Sequence, residues 1–230
     1  MFPAVLLAAA LDFGIVRDAA PQLARGFALT LEIAVTGTIG ALAVGVAGAA
    51  ARISPSAAAR AAATAFTEFF RNTPPLVQIY FLAFALPKLP GVGHYLILPA
   101  VVAATLGLVL HQGAINIEIL RAGLLAVPEG QREAAAALGL GRIDQLRYVL
   151  VPQAARISLP ALGNNVISLF KNTTLVASIG VLDLFGEAND IIAQILVSAE
   201  LFITVGVIYV ICVALLGTAF RLLERRLALA

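Results

Sequence analysis

Glu68, Arg71 and Asn72 stand just before Thr73, Pro74 and Pro75, inside a run from Ala57 to Leu86 that is otherwise largely apolar. Two more polar groups share that setting. Gln112, Asn116 and Glu118 punctuate Tyr95 to Leu120, with Gln112 and Asn116 four apart and so on one helical face. Lys171-Asn172-Thr173-Thr174 follows the apolar run Gln153 to Phe170. Amides, a carboxylate and a guanidinium among aliphatic side chains are costly, so each needs a partner in the protein or in a ligand. The chemistry open to them is non-covalent, hydrogen bonding and ion pairing. Neither lysine, Lys88 or Lys171, stands in a G-x-x-x-x-G-K-[ST] setting, no Cys/His set has metal-ligand spacing, and no Ser-His-Asp arrangement is suggested. His94 and His111 read as structural, and the single cysteine, Cys212, as a packed residue without an internal disulfide partner.

These residues must be carried by membrane helices. The chain is 61% hydrophobic and 12% charged, with mean hydropathy +0.99, whereas soluble domains run near half apolar and a quarter charged. An all-α, polytopic membrane bundle forming one domain over 1–230 is the expectation. A net charge of +2, with arginines scattered through loops, gives no reason to expect nucleic acid. The N-terminal stretch lacks a basic region, so no cleaved signal peptide is expected.

Five spans are predicted: Phe27 to Ala50, the interrupted Ala57 to Leu86, Tyr95 to Leu120, Gln153 to Phe170, and Leu201 to Phe220. Residues 1–22 read as an interfacial tail ending near Pro21, and Pro87, Pro90, Gly91 and Gly93 as a turn. Val181 to Val197 reads as an amphipathic helix with an acidic stripe, Asp183, Glu187 and Asp190, facing solvent or a partner. Glycines 37, 40, 45 and 48 would let the first span pack closely. Ten arginines, from Arg52 and Arg60 through the loop after Leu120 to Arg226, fall on one side, against Arg17, Arg25, Lys88 and Lys171 on the other. Positive charge marks the cytoplasm, so the N-terminus is expected outside and the C-terminus inside.

Within the second span Glu68 and Arg71 are three apart and could neutralise each other, before Pro74-Pro75 breaks the helix. Asn72 lies ~22 Å along that helix, at or beyond mid-bilayer. A break at that depth must be buried in protein or line a cavity, and transporters place cargo at such breaks. The Glu68–Arg71 pair therefore either pins the kink or touches cargo, and Gln112 and Asn116 either bond between helices or line the same path.

The remaining interval, Ala126 to Pro152, is charge-dense. Pro128 opens and Gly139 closes a short helix, Glu129 to Leu138, whose Ala134–Ala137 would let another surface approach its backbone. Gly141 turns the chain, and Arg142 to Val151 forms a second helix stopped by Pro152.

Glu133-Ala134-Ala135, Gly139 and Val149-Leu150-Val151-Pro152 together resemble the EAA loop in permease subunits of binding-protein-dependent ABC importers. Glu68-Phe69-Phe70-Arg71-Asn72-Thr73-Pro74-Pro75-Leu76-Val77-Gln78, Pro128-Glu129-Gly130-Gln131 and Phe170-Lys171-Asn172-Thr173-Thr174-Leu175 resemble the polar amino-acid branch, the histidine/glutamine permease type. The resemblance implies a subunit of a bacterial inner membrane that imports a polar amino acid and is no enzyme itself. It implies a cytoplasmic ABC ATPase dimer holding ATP and magnesium, with no cofactor in this chain. It further implies a second permease subunit (self or sister), an external amino-acid-binding protein, and surrounding lipid. By the same resemblance Glu129, Glu133, Ala134, Ala135 and Gly139 couple to the ATPase. Glu68, Arg71, Asn72, Gln112, Asn116, Asn172 and Thr173 would line the cargo path. A neutral Asn172, where relatives often carry Asp, leans away from cationic cargo. Other cargo, an opine or organic ion, stays open, as does an ion-coupled carrier or channel without an ATPase.

Overall fold

The computed structural model describes residues 11–91, 96–195 and 199–228. His94, Gly93, Tyr95, Val197 and the first ten residues lie outside that range, as does the start of the third expected span. The described residues contain helices and no strand. In order they are α1 (Gly14–Arg52), α2 (Ala57–Asn72), α3 (Pro75–Tyr80), α4 (Ala100–Leu125), α5 (Glu129–Ala137), α6 (Arg142–Asp144), α7 (Val151–Asn172), α8 (Leu184–Ile195) and α9 (Ala199–Ala228). Three of them, α1, α4 and α9, are each long and apolar enough to cross a membrane. The broken α2–α3 pair and the charge-bearing α7 do not meet that standard by length and composition alone.

Helix α1 is the spine. At 39 residues it measures about 58 Å, well beyond ~30 Å of hydrocarbon. It runs straight through Pro21, where the tail was expected to end. The bond lost at the proline nitrogen is offset by burial of Ala19 and Leu23 on either side, packed against Leu184, Ala188 and Leu201. Toward its other end α1 lies against α4. A Cβ at Gly45 would sit 2.5 Å from the Asn116 Cβ, so the two helices meet backbone to side chain.

Both proline-flanked segments solve the same steric problem. A π-type turn covers Phe81–Ala85, with the Leu86 N–H donating to the Phe81 carbonyl, and Pro87 follows. Another covers Gln145–Leu150, with the Val151 N–H donating to the Leu146 carbonyl, and Pro152 follows. The wider turn clears the carbonyl that each proline ring would strike in a regular helix. Pro152 therefore does not stop a helix. It sits in the first turn of α7, and the chain stays helical from Arg142 to Asn172.

Asp183 was expected on a solvated acidic stripe and is instead fully buried. Its main-chain carbonyl lies where α8 presses on Gly26 of α1. Glu187 and Asp190 remain in α8.

Candidate functional site

The helix break stands where the prolines call for it. Thr73 and Pro74 are extended (φ/ψ −104°/132° and −58°/137°), and α3 restarts at Pro75. That frees carbonyls of α2, and Gln78 recovers them. Its Nε2 donates to Phe70 O at 2.8 Å and to Thr73 O at 2.9 Å. His111 Nδ1 lies 3.0 Å from the same Phe70 oxygen. Both Gln78 amide hydrogens are committed, so the network assigns the Nδ1–H tautomer to His111, donating to Phe70. Gln78 was visible only as part of a motif. Its place three residues after the restart was the available signal.

The expected Glu68–Arg71 pair does not form. Glu68 accepts from Asn72 Nδ2 at 3.1 Å, one turn on, and among the described residues no ion pair joins it to Arg71. All three side chains are exposed on α2. Arg71 turns to a cavity of about 450 Å³ that it shares with Glu118 and Ser158. Glu118 is held by Arg52 at 3.1 Å and Arg121 at 2.8 Å, and Arg52 also reaches the Thr64 hydroxyl, which fastens α1, α2 and α4 together.

Gln112 and Asn116 are buried between α4 and α7, and Asn165 joins them. Its Nδ2 donates to the Gln112 carbonyl at 3.1 Å and to Asn116 Oδ1 at 2.8 Å. The Gln112 side-chain oxygen is buried without a partner. Asn165 escaped the sequence reading because it falls in the middle of α7 with no proline or charge beside it.

Thr173 is buried, and Asn172 half-buried at the end of α7. Thr173 Oγ1 donates to Phe170 O at 2.8 Å and lies 3.2 Å from Tyr209 OH. Tyr209 OH in turn lies 3.5 Å from Asp183 Oδ2. Asp183 caps α8 through the Gly186 N–H at 2.9 Å, and the Leu184 N–H donates to Thr30 Oγ1 at 3.0 Å. Burial pushes the Asp183 carboxyl above the usual carboxylate range, opposed by hydrogen bonds from the Gly186 N–H, the Thr30 hydroxyl, the Phe185 N–H and the Tyr209 hydroxyl. The expected path residues thus fall into three groups, on α2, between α4 and α7, and around Thr173. Among the described residues no hydrogen bond joins one group to another.

The second expected site is α5. It ends in a Schellman turn, with Gly139 at φ +75°, its N–H donating to Ala136 O and the Leu140 N–H to Ala135 O. Ala135 is buried, while Glu129, Glu133 and Ala134 are exposed. Leu138 and Ile143 are about 80% and 79% exposed, a bare apolar pair beside the turn. The inner side of α5 is tied down: Arg132 Nη2 donates to Leu124 O at 3.3 Å on α4, and Gln153 Nε2 of α7 donates to Gln131 Oε1 at 3.3 Å. Val127, Leu150 and Ala154 pack beneath.

Residues 43–229 match the family of binding-protein-dependent transport system inner membrane components. The chain belongs to this family. The permease is 37% identical over 216 residues to the glutamine transport system permease protein of Escherichia coli (strain K12), covering 94% of this chain and 97% of that one. It is 32% identical to the L-cystine transport system permease protein of Bacillus subtilis (strain 168), covering 95% and 92%. An octopine transport system permease protein of Rhizobium radiobacter is 40% identical over 67% of this chain and 65% of its own. A chain in the crystal structure of an amino acid ABC transporter with histidines superposes with a TM-score of 0.87 at 30% identity, covering 94% of the permease and 99% of that chain. The all-helical fold is therefore the membrane-type permease fold of this family.

Proposed function

We propose that the permease carries a polar amino acid across the inner membrane as the transmembrane subunit of an ATP-driven, binding-protein-dependent importer. The names of its glutamine and cystine relatives support the cargo class. Five spans serve this reading: α1, the α2–α3 pair, α4, α7 and α9, in one domain. The arginine surplus at Arg52, Arg60, the α5 region and the C-terminal end of α9 supports a cytoplasmic α5 and C-terminus and an external N-terminus.

One observation carries the mechanism: α5 is fastened to α4 and α7 on one side and bare on the other. A cytoplasmic ATPase dimer, holding ATP and magnesium, would grip the exposed side through Glu129, Glu133 and Ala134, with the buried Ala135 packed on the inner side. Gly139 permits the turn that presents it. Closure of the ATPase pair would then move α4 and α7 together, since Asn165 joins them at Asn116 and Gln112. Cargo handed over by an external binding protein would pass between two permease subunits, meeting Arg71, Asn72 and Asn172, while the buried Gln112, Asn116 and Thr173 hold the helices behind them. Glu68 acts there by holding Asn72. An opine is the second cargo reading, favoured by the octopine relative. An ATPase-independent carrier has no use for a bare, tethered knuckle. Uptake competition with a panel of amino acids and opines, in cells carrying the full complex, tests the cargo. Competition by polar amino acids alone supports the proposal, and competition by opines alone replaces it with the second reading.

A further inference from the structure

We propose that this permease holds one anionic phospholipid of the cytoplasmic leaflet, its phosphate between Arg132 and Arg142 and one acyl chain along α1 and α4. Two adjoining hollows carry the inference. The first, about 170 Å³, is an apolar groove lined by Val46 and Ala50 of α1, Leu120 of α4 and Ala155 of α7. The second, about 280 Å³, adds Arg132 and Arg142. They share Ile53 and Leu124, so the apolar hollow adjoins the cationic one across these two side chains.

Position matches chemistry. The groove lies within about two turns, roughly 10 Å, of the ends of α1 and α4 and the start of α7, where hydrocarbon gives way to headgroups. No carboxylate lines the cationic hollow. Arg132 Nη2 donates to Leu124 O, its Nη1 is 3.7 Å from Glu129, and its Nε is buried without a partner. Arg142 forms no ion pair among the described residues. A basic hollow between membrane helices on the cytoplasmic side suits an anionic headgroup, and the groove beneath it suits a lipid rather than a free anion. Arg132 belongs to α5, so the bound phosphate would brace the knuckle against α1 and α4.

This rests on the orientation proposed above, but its test does not depend on cargo. The full complex is assembled in nanodiscs of phosphatidylglycerol and phosphatidylcholine, extracted, and its retained lipid counted by native mass spectrometry. The wild type should keep one phosphatidylglycerol per permease chain. R132Q/R142Q should keep it roughly thirtyfold less, about what two arginines contribute at an anionic surface. Ala50→Phe, which fills the groove and leaves the arginines in place, should lower retention likewise. Arg147→Gln, an exposed change outside both hollows, should not. Equal retention in all variants, or equal retention of the two lipids, overturns the proposal. So does full displacement by inorganic phosphate with the groove variant unaffected. A complex that keeps the lipid yet imports no amino acid overturns only the cargo reading.

Discussion

Asn165 of α7 donates to Asn116 of α4 at 2.8 Å, in a buried layer where the Gln112 carbonyl takes the second amide hydrogen. This contact fastens the two helices to each other, and on the proposed mechanism they move as one lever. Asn165→Leu keeps the number of side-chain heavy atoms and leaves Asn116 Oδ1 without its donor, while the Gln112 main-chain carbonyl retains its place in the α4 ladder. The expected cost is about 1–2 kcal/mol, seen as a lower unfolding temperature of the purified permease and a weakened coupling of ATP hydrolysis to uptake. An unchanged unfolding temperature would show that the amide layer does not bind α4 to α7.

Gln78 restores two carbonyls exposed by the Thr73–Pro74 break. Gln78→Leu should cost about 1–3 kcal/mol, because Thr73 O loses its donor and Phe70 O keeps only His111. His111→Ala in the same background should add less than either change suggests alone, as both serve one oxygen. Thermal unfolding of the four proteins in a double-mutant cycle measures this, and strict additivity would contradict the shared role.

The break and the knuckle were legible in the sequence because proline and glycine act locally. Pro74-Pro75 must interrupt a helix, and Gly139 takes φ +75°, which other residues resist. Pro152 misled for the same reason, since a π turn two residues earlier, invisible to periodicity, lets the helix continue. Partnerships across the fold were not legible. Spacing put Glu68 beside Arg71, yet Asn72 takes the carboxylate and Arg71 turns toward Glu118. Asp183 looked solvated because its own helix is amphipathic; Thr30 and Tyr209, far away in sequence, enclose it.

Gly139→Pro should leave the permease inserted and folded while removing cargo-stimulated ATP hydrolysis. The ring fixes φ near −65°, against +75° here, and removes the N–H that donates to Ala136 O. Full stimulation in this variant would mean that the turn does not present α5.

Asn72→Ala and Asn172→Ala should each shift the apparent affinity or preference for cargo by several-fold, while unfolding temperatures move by less than for Asn165→Leu. Neither side chain is fully buried, so the stability cost is small. Identical uptake profiles across an amino-acid panel would reduce both to structural residues.

The Asp183 carboxyl, raised by burial, adds a pH dependence. Because the folded protein holds the proton more tightly than the unfolded chain, this group's stabilising share is complete below about pH 4 and is lost as pH rises through the raised folded value. Asp183→Asn should therefore flatten the fall in unfolding temperature above that range, and an identical pH profile would contradict a raised carboxyl.

The central claim is that α5 is the face a cytoplasmic motor grips, and Leu138 is its most exposed apolar residue. Leu138→Cys, in a Cys212→Ser background, can be cross-linked within vesicles holding the complete importer. A cross-link to the ATPase subunit, formed from the cytoplasmic side and altered in yield by ATP, is the expected result. A Leu138→Cys thiol that reacts only with external reagents and never joins the ATPase would contradict the account.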